Sequence, residues 1–122
     1  MKWKIVRLEL DRTPTFPNGS PGRAYLLRVP LGDDGRIDGT ALAKWPTRAT
    51  ARRFWSSDPD RFGHVEAFDG HFVFRCRSAQ GESLSRMPAL PFRLDGRITI
   101  EEPDGTSNRF RVASIKNGIL AN

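Results

Sequence analysis

The sequence predicts a mainly β fold: a single small β-barrel, or a strongly curled antiparallel sheet, of six to seven strands with one short helix. Two observations carry this prediction. Short runs of alternating apolar and polar residues recur along the chain, and turn-forming residues separate them about every 10 residues. The length of 122 residues suits one domain, in which closing a single sheet removes exposed edges more economically than building a two-sheet sandwich.

The first three strands are predicted from alternation and from the residues that interrupt it. Lys2 to Leu10 alternates between apolar and polar side chains, and Ala24 to Val29 is an apolar run that stops at a proline. The segment Asp11 to Gly22 between them contains three prolines, so neither a helix nor a central strand can continue through it. A third strand is predicted from Arg48 to Trp55, before a run of turn-forming residues.

One short helix is predicted, from Asp38 to Trp45. Asp38 can accept hydrogen bonds from the first free amides, the residues after it favour a helix, and Pro46 ends it. The last residues of a chain fray unless they are tied down. We therefore expect one β domain over residues 1–116 and a flexible tail over residues 117–122.

The most informative stretch is the hairpin around Asp69-Gly70, a pair of residues that favours a type I′ turn. If Phe68 faces His71 across this turn, the register of both strands follows, and His64 comes to lie opposite Arg75. One face of the hairpin is then apolar throughout, with Gly63, Val65, Ala67, Phe72, Phe74 and Cys76.

A second hairpin is predicted near the end of the chain. Its strands run from Arg97 to Glu102 and from Arg109 to Ile115, and they are joined through Pro103-Asp104-Gly105. Between the two hairpins, the polar stretch from Ser78 to Pro91 contains a glycine and two prolines. An irregular excursion is expected there.

Charge and cysteine content bear on partners and location. The formal net charge is +6, with 16 arginines and 4 lysines, which can attract nucleic acid or acidic proteins but can also be incidental codon bias. Cys76 is the only cysteine, so an intrachain disulfide is impossible. Neither a signal peptide nor an apolar run of the roughly 20 residues that span a bilayer occurs, so we expect a cytoplasmic protein without membrane contact.

Metal binding is not predicted, although His64, His71 and Cys76 share the first hairpin and are all residue types that bind transition metals. The predicted register places both histidines on the face opposite Cys76. It also places the cationic Arg75 beside His64, and a neighbouring cation opposes metal binding.

Catalytic motifs are absent as well. Ser20 is followed directly by proline, which breaks the spacing of a nucleophile elbow, and no glycine-rich phosphate loop or dinucleotide fingerprint occurs. The paired carboxylates Asp33-Asp34 and Glu101-Glu102 lie in or next to predicted turns, where acids are commonly solvated. No catalytic constellation or cofactor site can be assembled from these residues, so an enzyme is the least favoured class of function.

The best functional candidate is the stretch from Lys44 to Trp55, which interleaves basic and aromatic residues and contains no acid. Such a face on a β-barrel can bind single-stranded nucleic acid, because arginines contact phosphates and rings stack on bases. The alternative is a core strand whose arginines lie over their neighbours. The predicted nucleic-acid-binding residues are Lys44, Arg48, Arg52, Arg53, Phe54 and Arg75.

A second hypothesis is a protein-interaction or structural accessory domain whose positive charge is incidental. Its docking element would be a free sheet edge or Phe16, a large apolar residue in the first proline-rich loop that could instead cover the barrel mouth. The two hypotheses differ in what they require of the surface. Nucleic-acid or acidic-partner binding requires a continuous guanidinium patch, whereas carboxylates that interrupt it favour the interaction domain; the patch residues are Arg48, Arg52, Arg53 and Arg75.

Three segments carry a resemblance: Phe16-Pro17-Asn18-Gly19-Ser20-Pro21, Arg52-Arg53-Phe54-Trp55, and Pro91-Phe92-Arg93 with the following Gly96 and Ile98-Thr99-Ile100. With these segments the chain resembles a group of short uncharacterised bacterial proteins over nearly its whole length. The last hairpin is also similar to the closing hairpins of small β-barrels such as those of translation factors. Neither resemblance implies an activity, a cofactor or a catalytic residue.

Overall fold

Eight antiparallel strands close into one barrel in the computed structural model, which describes residues 1–78 and 81–118. Each strand pairs with the next along the chain, and the last pairs with the first. The strands are β1 Lys2–Leu10, β2 Ser20–Leu31, β3 Thr50–Trp55, β4 Asp58–Phe68, β5 His71–Ser78, β6 Gly81–Pro88, β7 Arg97–Glu101 and β8 Ser107–Asn117. The predicted mainly β barrel is confirmed.

The predicted number of six to seven strands is too low, because the stretch from Ser78 to Pro91 is not an irregular excursion. It contains β6, which pairs with β5 along its whole length and with β7 only at Arg86. Alternation in β6 is hard to detect because two of its inward-facing positions carry the small polar residues Ser83 and Ser85. The other inward position, Met87, is buried in the core.

The hairpin at Asp69-Gly70 has the predicted register. Phe68 pairs with His71, and His64 pairs with Arg75. Asp69 and Gly70 have φ angles of 51° and 81°, and positive φ at both central residues is the requirement of a type I′ turn.

The helix also forms where it is predicted. The strand that follows it is shorter than expected. Asp38 accepts a hydrogen bond from the Ala41 amide at 3.0 Å and caps α1, which spans Gly39–Lys44. Pro46–Arg48 forms a turn of 3-10 helix, so the predicted strand from Arg48 begins at Thr50. No helix in the described ranges is long and apolar enough to cross a membrane.

Inward-facing side chains of all eight strands fill the barrel. Tyr25, Phe74 and Phe110 are fully buried, and their rings meet with centroids 5.4 Å apart in two tilted or edge-on pairs. Of the predicted tail, Asn117 is the last residue of β8 and the Gly118 amide donates a hydrogen bond to the Trp3 carbonyl. Residues 119–122 lie outside the described ranges.

Candidate functional site

The outer face of strands β1 to β4 carries two rows of side chains that cross the strands. Cross-strand pairing sets both rows, because residues that pair directly project on the same side of a sheet. The first row is Ile5, Arg28, Thr50 and His64. The second row, two residues further along each strand, is Arg7, Leu26, Arg52 and Phe62.

A groove of about 520 Å³ lies between these rows. Ile5 and Leu26 are half-buried in it, and Phe62 is 57% exposed. A solvated barrel face normally presents polar side chains, so three neighbouring apolar side chains on it make this groove a candidate binding surface. The remaining lining residues are Arg28, Thr50, Ala51, Arg52, Gly63 and His64.

A chain of basic and aromatic residues, here called the basic ladder, adjoins one end of the groove. The Arg28 guanidinium lies 5.3 Å from the Trp3 ring and donates a hydrogen bond of 3.4 Å to the Arg48 carbonyl. Arg48 in turn lies 5.8 Å from the Trp45 ring, which Lys44 approaches to 4.7 Å. These distances are those of cation–π contacts.

Within residues 1–78 and 81–118, no carboxylate pairs with the cations of the basic ladder. Among the described residues, none of the ion pairs involves Arg28, Lys44 or Arg48. The hydrogen bonds of Arg28 go to the backbone carbonyls of Gly118 and Arg48. In the described part of the chain, no carboxylate therefore neutralises the charge of Arg28.

Two other predicted residues, Arg52 and Phe54, lie beside the groove. The Arg52 guanidinium is held by Asp60 at 2.8 Å and lies 4.1 Å from the Phe54 ring and 5.1 Å from the Phe62 ring. Arg7 also approaches the Phe54 ring, to 5.8 Å. Phe54 is consequently covered by guanidinium groups, whereas Phe62 is the exposed ring.

Arg53 and Arg75 lie apart from this surface. Arg53 points into the barrel, where it pairs with Glu102 at 3.4 Å. Arg75 lies between the carboxylates of Glu66 at 2.9 Å and Glu82 at 2.6 Å. Carboxylates therefore interrupt the continuous guanidinium patch expected of Arg48, Arg52, Arg53 and Arg75, and by that criterion the predicted set of arginines favours the interaction domain.

The position of Glu102 beside a turn predicts a solvated carboxylate, but the side chain is buried inside the barrel. Its Oε2 accepts a hydrogen bond from the Tyr25 hydroxyl at 2.8 Å inside the barrel, and its Oε1 is buried without a hydrogen-bond partner in the described part of the chain. The Tyr25 hydroxyl also contacts Ser85 Oγ at 2.8 Å and accepts from Arg53 Nε at 3.3 Å. Burial, followed by the negative charge of Glu102, raises the pKa of Tyr25.

Phe16 is half-buried against the core, and the Arg23 guanidinium lies 4.1 Å from its ring. The loop is held there by hydrogen bonds in both directions between Thr13 and Phe16. This placement is that of a cover over the barrel mouth. Within residues 1–78 and 81–118, no three His, Cys, Asp or Glu side chains come together as metal ligands.

The residues of the site that sequence reasoning missed include Trp3, Arg28, Phe62 and, as a ladder member, Trp45. Trp45 was part of the basic and aromatic stretch, and its spacing from Lys44 and Arg48 was the available signal. Trp3 and Arg28 lie 25 residues apart and meet only through the pairing of β1 with β2.

Comparison of the chain with family models, with curated proteins and with solved structures finds no match. The function is therefore argued from the chemistry of the groove and the basic ladder. Both features belong to one surface, because Arg28 lines the groove and also forms part of the ladder.

Proposed function

We propose that the protein is a non-enzymatic binding module that takes single-stranded nucleic acid on the basic ladder and the adjoining groove. The observation that carries the proposal is the unbroken run of contacts from Trp3 through Arg28 and Arg48 to Trp45, in which no carboxylate of the described residues takes part. Cations along a groove neutralise phosphates, and aromatic rings beside them provide stacking surfaces for bases. This composition is typical of single-strand binding surfaces.

The rings distinguish this proposal from simple attraction of any acidic molecule. Two tryptophans lie in the ladder, and the exposed Phe62 lies in the groove beyond Arg28. Surfaces that bind single strands usually offer two or three rings for stacking. Trp3 and Trp45 are half-buried and keep part of each ring in solvent beside the cations, and a carboxylate-rich protein segment would use the cations without using these rings.

A second candidate is a protein-interaction domain whose positive charge is incidental and whose groove binds a protein segment. It is favoured by the ion pairs elsewhere, since within residues 1–78 and 81–118 nine of the 16 arginines pair with a carboxylate. Most of the arginine excess is thus compensated locally. The exposed apolar groove would then receive apolar side chains of that segment.

The test is the fluorescence anisotropy of a labelled oligothymidine of about 12 nucleotides, titrated with protein at several salt concentrations. If three ladder cations contact phosphates, the slope of log K against log salt should be about −2, which is an affinity loss of about 20-fold between 50 and 200 mM salt. Absence of binding at the lowest salt concentration would refute the proposal.

Arg48→Gln provides the ladder variant for this test, because Arg48 is exposed and its side chain forms no ion pair among the described residues. We expect weaker binding and a salt slope reduced by about 0.7. Arg93→Gln is the matched control, since Arg93 is equally without an ion pair there and lies in the loop before β7. Equal losses in both variants would assign the binding to net charge instead of the ladder. A glutamate- and leucine-rich peptide that binds where the oligothymidine does not would favour the second candidate.

A further inference from the structure

The groove beside the basic ladder has the shape and lining of a pocket for a single unpaired base. Resting on the proposed function, we infer that one base of the bound strand inserts into this groove and stacks on Phe62. The groove of about 520 Å³ is large enough for one base, and Phe62 is its most exposed apolar side chain.

The stacking surface is held in place by the ion pair of Arg52. Phe62 on β4 lies directly opposite Arg52 on β3, and the guanidinium is 5.1 Å from the ring. Asp60 fixes that guanidinium with a hydrogen bond of 2.8 Å. A planar base can therefore contact both a phenyl ring and an ordered guanidinium plane, the two kinds of surface on which unpaired bases stack.

The rest of the lining supplies an apolar floor and a few polar groups. Ile5 and Leu26 form apolar surface, while the Thr50 hydroxyl and the His64 ring can hydrogen-bond with the edge of a base. A predominantly apolar pocket with a small number of polar groups is the usual composition of a site for a planar organic ligand.

The position of the groove relative to the ladder determines how a strand would reach it. Arg28 on β2 lies two strands from Phe62 on β4, which is roughly 10 Å across the sheet. A strand whose phosphate contacts Arg28 therefore runs directly past the groove. The positive charge also argues against a second copy of the chain as the occupant of the groove. Two copies, each with a net charge of +6, would place Arg28 and Arg52 of one copy against the same residues of the other.

Two exposed phenylalanines on β4 allow a matched test. Phe62 and Phe68 project from the same outer face, with exposures of 57% and 59%, but only Phe62 lines the groove. We expect Phe62→Ala to weaken oligothymidine binding by about 10-fold or more, as for loss of one stacked base, and Phe68→Ala to change it by less than about twofold. Equal effects in the two variants would overturn the inference.

An abasic scan identifies the base itself. A single abasic nucleotide is moved along the oligothymidine, and the dissociation constant is measured for the wild type and for Phe62→Ala. In the wild type one position should cost about 10-fold, and in Phe62→Ala that penalty should disappear, because base and ring contribute the same stacking contact. If the abasic nucleotide changes the wild-type dissociation constant equally at every position, the base pocket is overturned.

The outcomes separate this inference from the proposed function. If Arg48→Gln weakens binding and Phe62→Ala does not, the ladder binds nucleic acid and the base pocket is wrong. If no oligothymidine binds at low salt, the proposed function itself fails. A glutamate- and leucine-rich peptide is measured in parallel. Loss of its binding in Phe62→Ala, with oligothymidine binding unchanged, would assign the groove to a protein segment instead.

Discussion

Tyr25→Phe is the most informative test of the barrel interior, because it removes one hydroxyl and no carbon atom. That hydroxyl donates to Glu102 at 2.8 Å, contacts Ser85 at 2.8 Å and accepts from Arg53 at 3.3 Å. Without it, the nearest remaining contact of the Glu102 carboxylate is the 3.4 Å bond from Arg53. The substitution therefore leaves buried polar groups unpaired while the packing of the aromatic ring is retained.

The cost follows from the kinds of bond that are lost. A hydrogen bond to a charged group contributes about 1.5–3 kcal/mol and a neutral one about 0.5–1.5 kcal/mol, so we expect a loss of about 3 kcal/mol in the free energy of unfolding. For a domain of this size, this corresponds to a fall in Tm of about 12 °C. Ser85→Ala removes only the neutral bond and should cost about 1 kcal/mol.

The assay is equilibrium urea unfolding followed by tryptophan fluorescence, with the m-value checked for constancy. A pH series adds an independent signature. The raised pKa of Tyr25 means that the folded state retains a proton which the unfolded state releases above about pH 10. The stabilisation is thus complete below pH 10 and declines above it by about 1.4 kcal/mol per pH unit.

Tyr25→Phe has no such proton, so its stability should approach that of the wild type as the pH rises from 10 to 12. A cost below about 1 kcal/mol at pH 7, or parallel alkaline curves for the two proteins, would refute the view that this cluster stabilises the barrel.

Three further predictions concern single sites. Gly63→Ala should prevent normal folding, because a Cβ there would lie 1.7 Å from the Arg75 carbonyl oxygen. Gly39→Ala has open space around it and should be neutral or stabilising. Circular dichroism and thermal melts compare the two variants. Cys76, whose pKa is raised by burial, should react with a thiol reagent only after unfolding, and rapid labelling of the native protein would contradict its placement. Asp11 has its pKa lowered: burial opposes this, but hydrogen bonds from the Arg12 amide and the facing arginines outweigh it. Asp11→Asn should therefore lower Tm at pH 7, by an amount that shrinks as the pH falls below about 4.

Local signals in the sequence were sufficient for the first hairpin and the helix. Asp69-Gly70 has few alternatives to a type I′ turn, and once the turn is set, the period of two determines every pair up to Gly63 with Cys76. Asp38 likewise caps the helix through a bond to an amide three residues away. Interactions of this range can be predicted because both partners lie in one short window.

The features that sequence reasoning missed depend on partners that are distant in the chain. Glu102 follows β7 next to a turn, where acids are usually solvated, but Tyr25 is 77 residues away and draws the carboxylate into the barrel. Strand β6 was missed because Ser85 faces inward to contact the same hydroxyl, and a polar residue at an inward position hides the alternation. In both places, a buried polar cluster replaces the apolar pattern on which strand prediction relies.

The same distinction bears on the arginine excess. If the arginine excess came only from codon bias, arginines would be placed without regard to their surroundings. Wherever such arginines lay close together, nearby carboxylates would be needed to compensate their positive charge. Compensation of this kind surrounds Arg75 and Arg53. In the described part of the chain, Arg28 and Arg48 crowd together without it, and their neighbours are the rings of Trp3 and Trp45. Because a ring attracts a cation and does not neutralise it, these arginines retain their charge, and the ladder variant, not total charge, is the decisive measurement for the proposed function.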